Sequence, residues 1–271
     1  MFANPNIGSI LKKESVEAEI SQLSIDWTVG QVRVIQGEGE AIKIIQSGSS
    51  RIPERKLFRH RVDAGELSII DGRKRRPFIG LNLHQTSILV SLPRKKLNEL
   101  VVICTGGHLI IECMDAGQAR CTMTSGRADL SGTYQNLNLR AVGAHIAGKQ
   151  LTVNRLELES SSSKVSLEGA FCKEIRSRTT GRRVSIQSAL APSRIHSIST
   201  GAKVELSIPE NTGFTLTSKK ISGDIQTRFL LNNQTEHSYK DGRNGYFAEV
   251  RGGSFVLQKN AADQASARLD Q

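Results

Sequence analysis

The stretch KVSLEGAFCKEIRSRTTGRRVSIQSALAPSRIHSISTGAKVEL, Lys164–Leu206, says one short phrase three times. Each copy holds an apolar pair spaced by one residue: Val165-Ser-Leu167, Val184-Ser-Ile186 and Val204-Glu-Leu206. A turn of small residues precedes each pair: SSSSKVSL at Ser160–Leu167, TTGRRVSI at Thr179–Ile186 and STGAKVEL at Ser199–Leu206. The same phrase runs back toward the N-terminus as AVGAHI (Ala141–Ile146), TSGRADL (Thr124–Leu130) and CTGGHLII (Cys104–Ile111). Anchored on Gly106, Gly126, Gly143, Ser162, Gly181 and Gly201, subtraction gives steps of 20, 17, 19, 19 and 20 residues.

Recurrence near this length marks a stacked architecture in which each unit covers its neighbour. The period-two alternation puts one face of each strand inward and the other into solvent. A helical half-repeat and a fixed Asn, which leucine-rich repeats of this length carry, are absent. The reading is an all-β chain folded as a β-solenoid, in parallel β-helix-like coils of about 19 residues, each with roughly three short strands and tight corners. Leu130-Ser-Gly132 running on to Tyr134 and Leu137, and Leu167-Glu-Gly169 running on to Phe171 and Ile175, supply the further strands. Gly suits the corners because it adopts positive φ without a Cβ penalty. Six such coils predict a column of roughly 29 Å, with Val165, Val184 and Val204 in one vertical file. The competing reading is a β-sandwich whose spacing is coincidental.

Outside the repeats the signal is less regular. Residues 15–96 read as N-terminal strands and cap, 97–209 as the repeat region, 210–258 as C-terminal strands and 259–271 as a flexible tail, together one β domain. Strand signals begin at Ala18 and continue through Leu23-Ser-Ile25, Val32-Arg-Val34, Ile42-Lys-Ile44, Leu67-Ser-Ile69 and SILVSLP (Ser87–Pro93). After the repeats come Gly213–Leu216, Ile221–Ile225, a long loop over Phe229–Gly245, and a strand at Tyr246–Leu257. Open coil edges invite strand addition, so the ends need covers, which the first and last thirds supply.

The formal charge is +11, from 37 Lys+Arg against 26 Asp+Glu, which permits attraction to anionic partners without choosing among them. The densest basic runs, Arg73-Lys74-Arg75-Arg76 and Arg94-Lys95-Lys96, with Arg182 and Arg183 at a corner, are the candidate anion contacts. Stacking also suggests a stripe from Arg140, Arg176, Arg178 and Lys203. Few aromatics interleave with these residues and no recognition helix is visible, which disfavours nucleic acid. Cys104, Cys113, Cys121 and Cys172 form no CxxC pair and read as apolar fillers in a reducing compartment. Met1–Ile20 lacks the pattern of a secretory signal, and no apolar run has transmembrane length. The expected location is cytoplasmic, or the cell surface if the sequence belongs to a longer protein.

No GxSxG, HExxH, P-loop or dinucleotide fingerprint occurs, and no catalytic, cofactor or metal residue is assigned. His108 and His145 each follow a corner, so stacking brings such positions closer. Glu112, Asp115 and Asp129 are the carboxylates that a polysaccharide-cleaving β-helix would need to converge. Asn233-Gln-Thr235 matches a glycosylation sequon.

The order LSIDWTVGQVRV (Leu23–Val34), SILVSLP, the repeated Thr/Ser-Gly phrases and VELSIPENTGFTLTSKKISGDI (Val204–Ile225) resembles the bacterial "putative adhesin" domain of unknown function, found in proteins of Lia-type envelope-stress operons. The resemblance spans about Leu23 to Leu257. It implies a β-rich stacked fold, an association with envelope stress or adhesion, and no catalytic residues to carry across. The expected function is a non-enzymatic binding or scaffold module for a protein or anionic polymer, without cofactor. The alternatives are a carbohydrate-active lyase or hydrolase, and a basic module attaching to anionic membrane, wall polymer or nucleic acid.

Overall fold

In the computed structural model, which describes residues 9–49, 52–75, 86–232 and 237–260, one mostly parallel sheet coils around an aliphatic column. Among these residues the first strands are β1 (Ser9–Val16), β2 (Gln22–Trp27), β3 (Gln31–Gln36), β4 (Ile42–Gly48), β5 (Arg59–Asp63), β6 (Glu66–Ile70), β7 (Thr86–Leu92) and β8 (Leu97–Cys104). The long coils follow as β9 (His108–Met123), β10 (Gly126–Val142), β11 (Ala144–Ser161) and β12 (Lys164–Thr180). Then come β13 (Val184–Ser188), β14 (Arg194–Ile208), β15 (Gly213–Thr227), β16 (Ser238–Lys240) and β17 (Asn244–Lys259).

The vertical file expected of Val165, Val184 and Val204 is present and extends in both directions. Ile88, Val32, Leu109, Ala128, Ile146, Val165, Val184, Val204, Phe255 and Ile225 are successive partners in the sheet. All but Ile225 are buried, and Ile225 packs against the core. Each long coil has three inward runs. In β10 they hold Ala128 and Leu130, then Tyr134, then Leu137, Leu139 and Ala141. Register shifts mark the bends, as between Leu130 and Gly132. At that bend Cys113 of β9 and Gln150 of β11 are extra residues at positive φ (51° and 53°), so β10 turns with one residue fewer.

Two kinds of corner follow the turns of small residues. At Gly107 and Gly126 (φ 94° and 88°) a Cβ would lie 2.0 and 2.1 Å from the carbonyl oxygen of the corner beneath, Gly30 and Gly107 respectively. These corners require Gly on both counts, and the first anchor is Gly107 rather than Gly106. At Gly201 (φ 59°) a Cβ would meet nothing within 4 Å. Ser162, at φ 49°, occupies this second, roomier kind of corner, which explains the one departure from Gly in the repeat.

The ends are less regular than the repeats, as expected, and they too are coils, in permuted order with some antiparallel pairing. β2 and β3 lie between β6 and β7 on one side and β8 and β9 on the other. At the far end β17 lies between β14 and β15, so the last strand of the chain is not the last rung. The segment read as a loop over Phe229–Gly245 contains β16, which pairs antiparallel with Gly213–Thr215. The outer edges are charged: β1 carries Lys12, Lys13 and Glu14, and β5 carries Arg59, Arg61 and Asp63. Such charges discourage strand addition. Residues 261–271, which hold most of the expected tail, lie outside the described residues, as does the Asn233–Thr235 sequon.

Candidate binding faces

The basic runs singled out in the sequence are largely occupied within the protein. Arg73, in the 3-10 turn Gly72–Arg75, has a side chain only 4% exposed; it pairs with fully buried Asp71 at 2.6 Å and donates to the Val29 carbonyl at 2.5 Å. Its guanidinium also lies 5.5 Å from the Trp27 ring. Burial opposes ionisation of Asp71, but hydrogen bonds from Arg73 outweigh it and hold the carboxyl below the usual range. Arg73 is thus a structural cation, withdrawn from any surface ligand. Lys74 pairs with Asp26, Arg94 with Glu38 at 3.7 Å, Lys95 with Glu19 at 2.9 Å and Lys96 with Asp115 at 3.9 Å. Arg94 and Lys95 also border a crevice of about 470 Å³, together with Glu17, Glu19, Glu40 and apolar Ile42 and Leu97. Arg183 pairs with Glu205, and Arg182 is exposed beside it. Arg75 closes the 3-10 turn, and Arg76 lies outside the described residues.

The regular surface chemistry lies instead on the walls of the coil. Outward residues of the third run stand in rows: Asn138, Glu157, Arg176, His196 and Phe247 in one, Arg140, Glu159, Arg178, Ile198 and Glu249 in the next. Acids interleave with the arginines. Glu174 takes Arg176 at 2.7 Å and Arg194 at 3.5 Å, Glu159 takes Arg140 at 3.9 Å, and Glu249 takes Arg251 at 2.6 Å. His196 stacks on Phe247 with centroids 4.7 Å apart. Two shallow hollows of about 350 and 380 Å³ open on this wall. The expected stripe of Arg140, Arg176, Arg178 and Lys203 is therefore corrected: the three arginines share a wall of mixed sign, and Lys203 stands elsewhere.

Lys203 belongs to the first-run wall, where the register builds a single file. His108, Arg127, His145 and Lys164 are successive partners. Arg183 and Lys203 continue the file, one residue before the partners Val165, Val184 and Val204. The next outward row is Asp129, Ala147, Ser166, Ser185 and Glu205. Asp129 accepts from Arg127 at 2.8 Å and lies 2.5 Å from His108 Nε2; burial opposes its ionisation, but these partners hold its carboxyl low. Glu205 binds Lys203 at 2.9 Å and also Arg183; the same balance of burial against cations lowers it. His145 and Lys164, in the middle, are exposed and have no acid partner among the described residues. The sequence signal for this file is a basic residue just before the apolar pair in all six phrases (HLII, RADL, HI, KVSL, RVSI, KVEL), and the search for dense basic runs passed over it.

The remaining candidates do not gather. Glu112 pairs with Arg33 at 2.9 Å, Asp115 lies beside Lys96 on the middle run, and Asp129 is engaged as above. Among the described residues no group of three or more His, Cys, Asp or Glu is placed to hold a metal ion. All four cysteines are unpaired; burial pushes the Cys104 thiol up to about 11 and Cys121 to about 12. Among the described residues no helix is long and apolar enough to cross a membrane.

The sequence profile of the Toastrack DUF4097 family matches residues 20–246. Among solved structures, a "putative adhesin" from Parabacteroides distasonis ATCC 8503 is similar at 11% identity, over 93% of this chain and 97% of that one, with a TM-score of 0.57. A "putative adhesin" from Bacteroides fragilis NCTC 9343 matches at 13% identity over 92% and 97%, TM-score 0.42. A "putative lipid binding protein" from Parabacteroides distasonis matches at 16% identity over 91% and 97%, TM-score 0.42. At such identities the first of these likenesses speaks for the fold alone. Among curated proteins none matches the sequence.

Proposed function

The chain belongs to the Toastrack DUF4097 family, and from that premise we propose that it works without catalysis, as a β-solenoid module whose walls bind a protein or anionic polymer in bacterial envelope stress or adhesion. The observation that carries this reading is the in-register repetition of a basic residue on six successive rungs of the first-run wall. A catalytic site concentrates perturbed groups in one place, whereas here the same chemistry recurs rung after rung. The carboxylates a glycan-cleaving β-helix needs are dispersed and each stands beside a cation. The four unpaired thiols fit a reducing compartment, which fractionation with thiol trapping tests.

Incubation with purified bacterial wall glycans tests the non-catalytic reading. The expected result is retention of intact polymer; new reducing ends or unsaturated sugar products above the level of a heat-denatured control would overturn it.

A further inference from the structure

We propose that the file His108, Arg127, His145, Lys164, Arg183 and Lys203 is a track on which a linear anionic polysaccharide lies along the solenoid axis, an inference that rests on the binding role proposed above. Adjacent rungs stand about 4.8 Å apart, so the track runs roughly 24 Å. The file is neutral beyond both ends, at Gln31 below and Ser254 above. Asp129 and Glu205 each tie two basic residues near the ends, leaving His145 and Lys164 in the centre free for a ligand. Exposed Arg182 adds charge at the same corner.

The neighbouring row decides the class of polymer. Ala147, Ser166 and Ser185 make a shallow strip beside the central cations, bounded on its far side by Glu168. A sugar chain can lie flat on small hydroxylated residues while its carboxylates or phosphates meet the file. An extended peptide would want pockets for alternate side chains. Single-stranded nucleic acid would want large aromatic platforms, and neither row contains Phe, Tyr or Trp. A membrane would meet a single file only along a line.

The test is binding of fluorescent polygalacturonate oligomers of graded length, with the methyl-esterified polymer as neutral control and polyphosphate as the phosphate-bearing arm. Affinity should rise with length up to the span of the track and fall with salt. Removing each exposed cation should lower affinity about two- to fivefold, as read from Lys164→Gln and from the pair Lys164→Gln with Arg127→Gln. Lys164→Arg should restore binding, and Arg155→Gln should leave it unchanged, since Arg155 is exposed on the other wall, between Asn136 and Glu174 in the sheet. Thermal melts confirm that the variants fold.

Unchanged affinity in the paired variant, equal affinity for the neutral polymer, or tighter binding to single-stranded DNA or anionic vesicles would each overturn the track. Absence of polyanion binding without glycan turnover also removes the track but spares the non-catalytic reading. Turnover removes the latter.

Discussion

At the scale of single residues, space beneath a corner decides what the repeat tolerates. Gly126 stacks on Gly107 with no room for a Cβ, whereas Gly201 overlies open space. Gly126→Ala should therefore cost at least about 2 kcal/mol, combining strained φ with a backbone clash. Gly201→Ser, at a φ close to that of Ser162, should cost only the left-handed backbone's share, about 1–2 kcal/mol, and less than Gly126→Ala. Chemical denaturation of the two variants compares them; equal losses would contradict the two-corner account. Arg73 carries the second residue-scale prediction. Arg73→Ala leaves the Asp71 carboxylate buried without its cation, so a loss of about 3–5 kcal/mol is expected in the same assay. Because the folded-state pKa of Asp71 lies below the unfolded one, its contribution is present above the usual carboxylate range and lost as pH falls through the folded value.

At the scale of elements, the C-terminal end is fastened by side chains. Phe214 stacks on Tyr246 at 4.6 Å and meets Phe229 edge-on at 5.1 Å, while Tyr239 packs on both Phe214 and Phe229. Over this cluster Glu210 accepts from Tyr239 at 2.5 Å and pairs with Lys259 at 2.9 Å and Lys240 at 3.1 Å. The Tyr239 hydroxyl and the two ammonium groups pull the Glu210 carboxyl down to about 2. A depressed acid stabilises the fold above its unfolded pKa and stops doing so as pH falls through the folded one. Glu210→Gln should therefore lower the melting temperature at neutral pH and flatten its decline between the unperturbed 4.5 and about 2. A variant that melts in parallel with the parent across that range would dissociate Glu210 from the cap.

At the scale of the whole molecule, stability is a sum over rungs and the contacts between neighbours, and the permuted ends alter that sum. β17 supplies the only rung partner of β15 apart from the short β16, among the described residues, and covers β14 as well. Truncation after Arg243 should strand β15 and open the β14 edge, giving a lower melting temperature and self-association in size-exclusion chromatography. A truncated chain that stays monomeric with the parent's melting temperature would show that β15 docks elsewhere. The same intercalation makes the ends the non-local part of the fold. β2 and β3 wait for β8 and β9, and β14 waits for β17, whereas β9 to β12 stack on sequence neighbours.

What could be read from the chain alone was whatever repeats locally. The spacing of Val165, Val184 and Val204 determined the coil and its vertical file, because a strand's inward face follows from alternation and a coil's length from the return of its corner. The cationic file was equally present in the phrases, one residue before each apolar pair. Tertiary structure alone decided which charges are free. Arg73 sits in a dense basic run yet is buried on Asp71, and Arg94, Lys95 and Lys96 face acids distant in sequence, since ion pairing depends on neighbours that the run itself does not encode. It also decided the order of rungs at both ends, because the pairing energy of an open edge is indifferent to which segment of chain arrives to fill it.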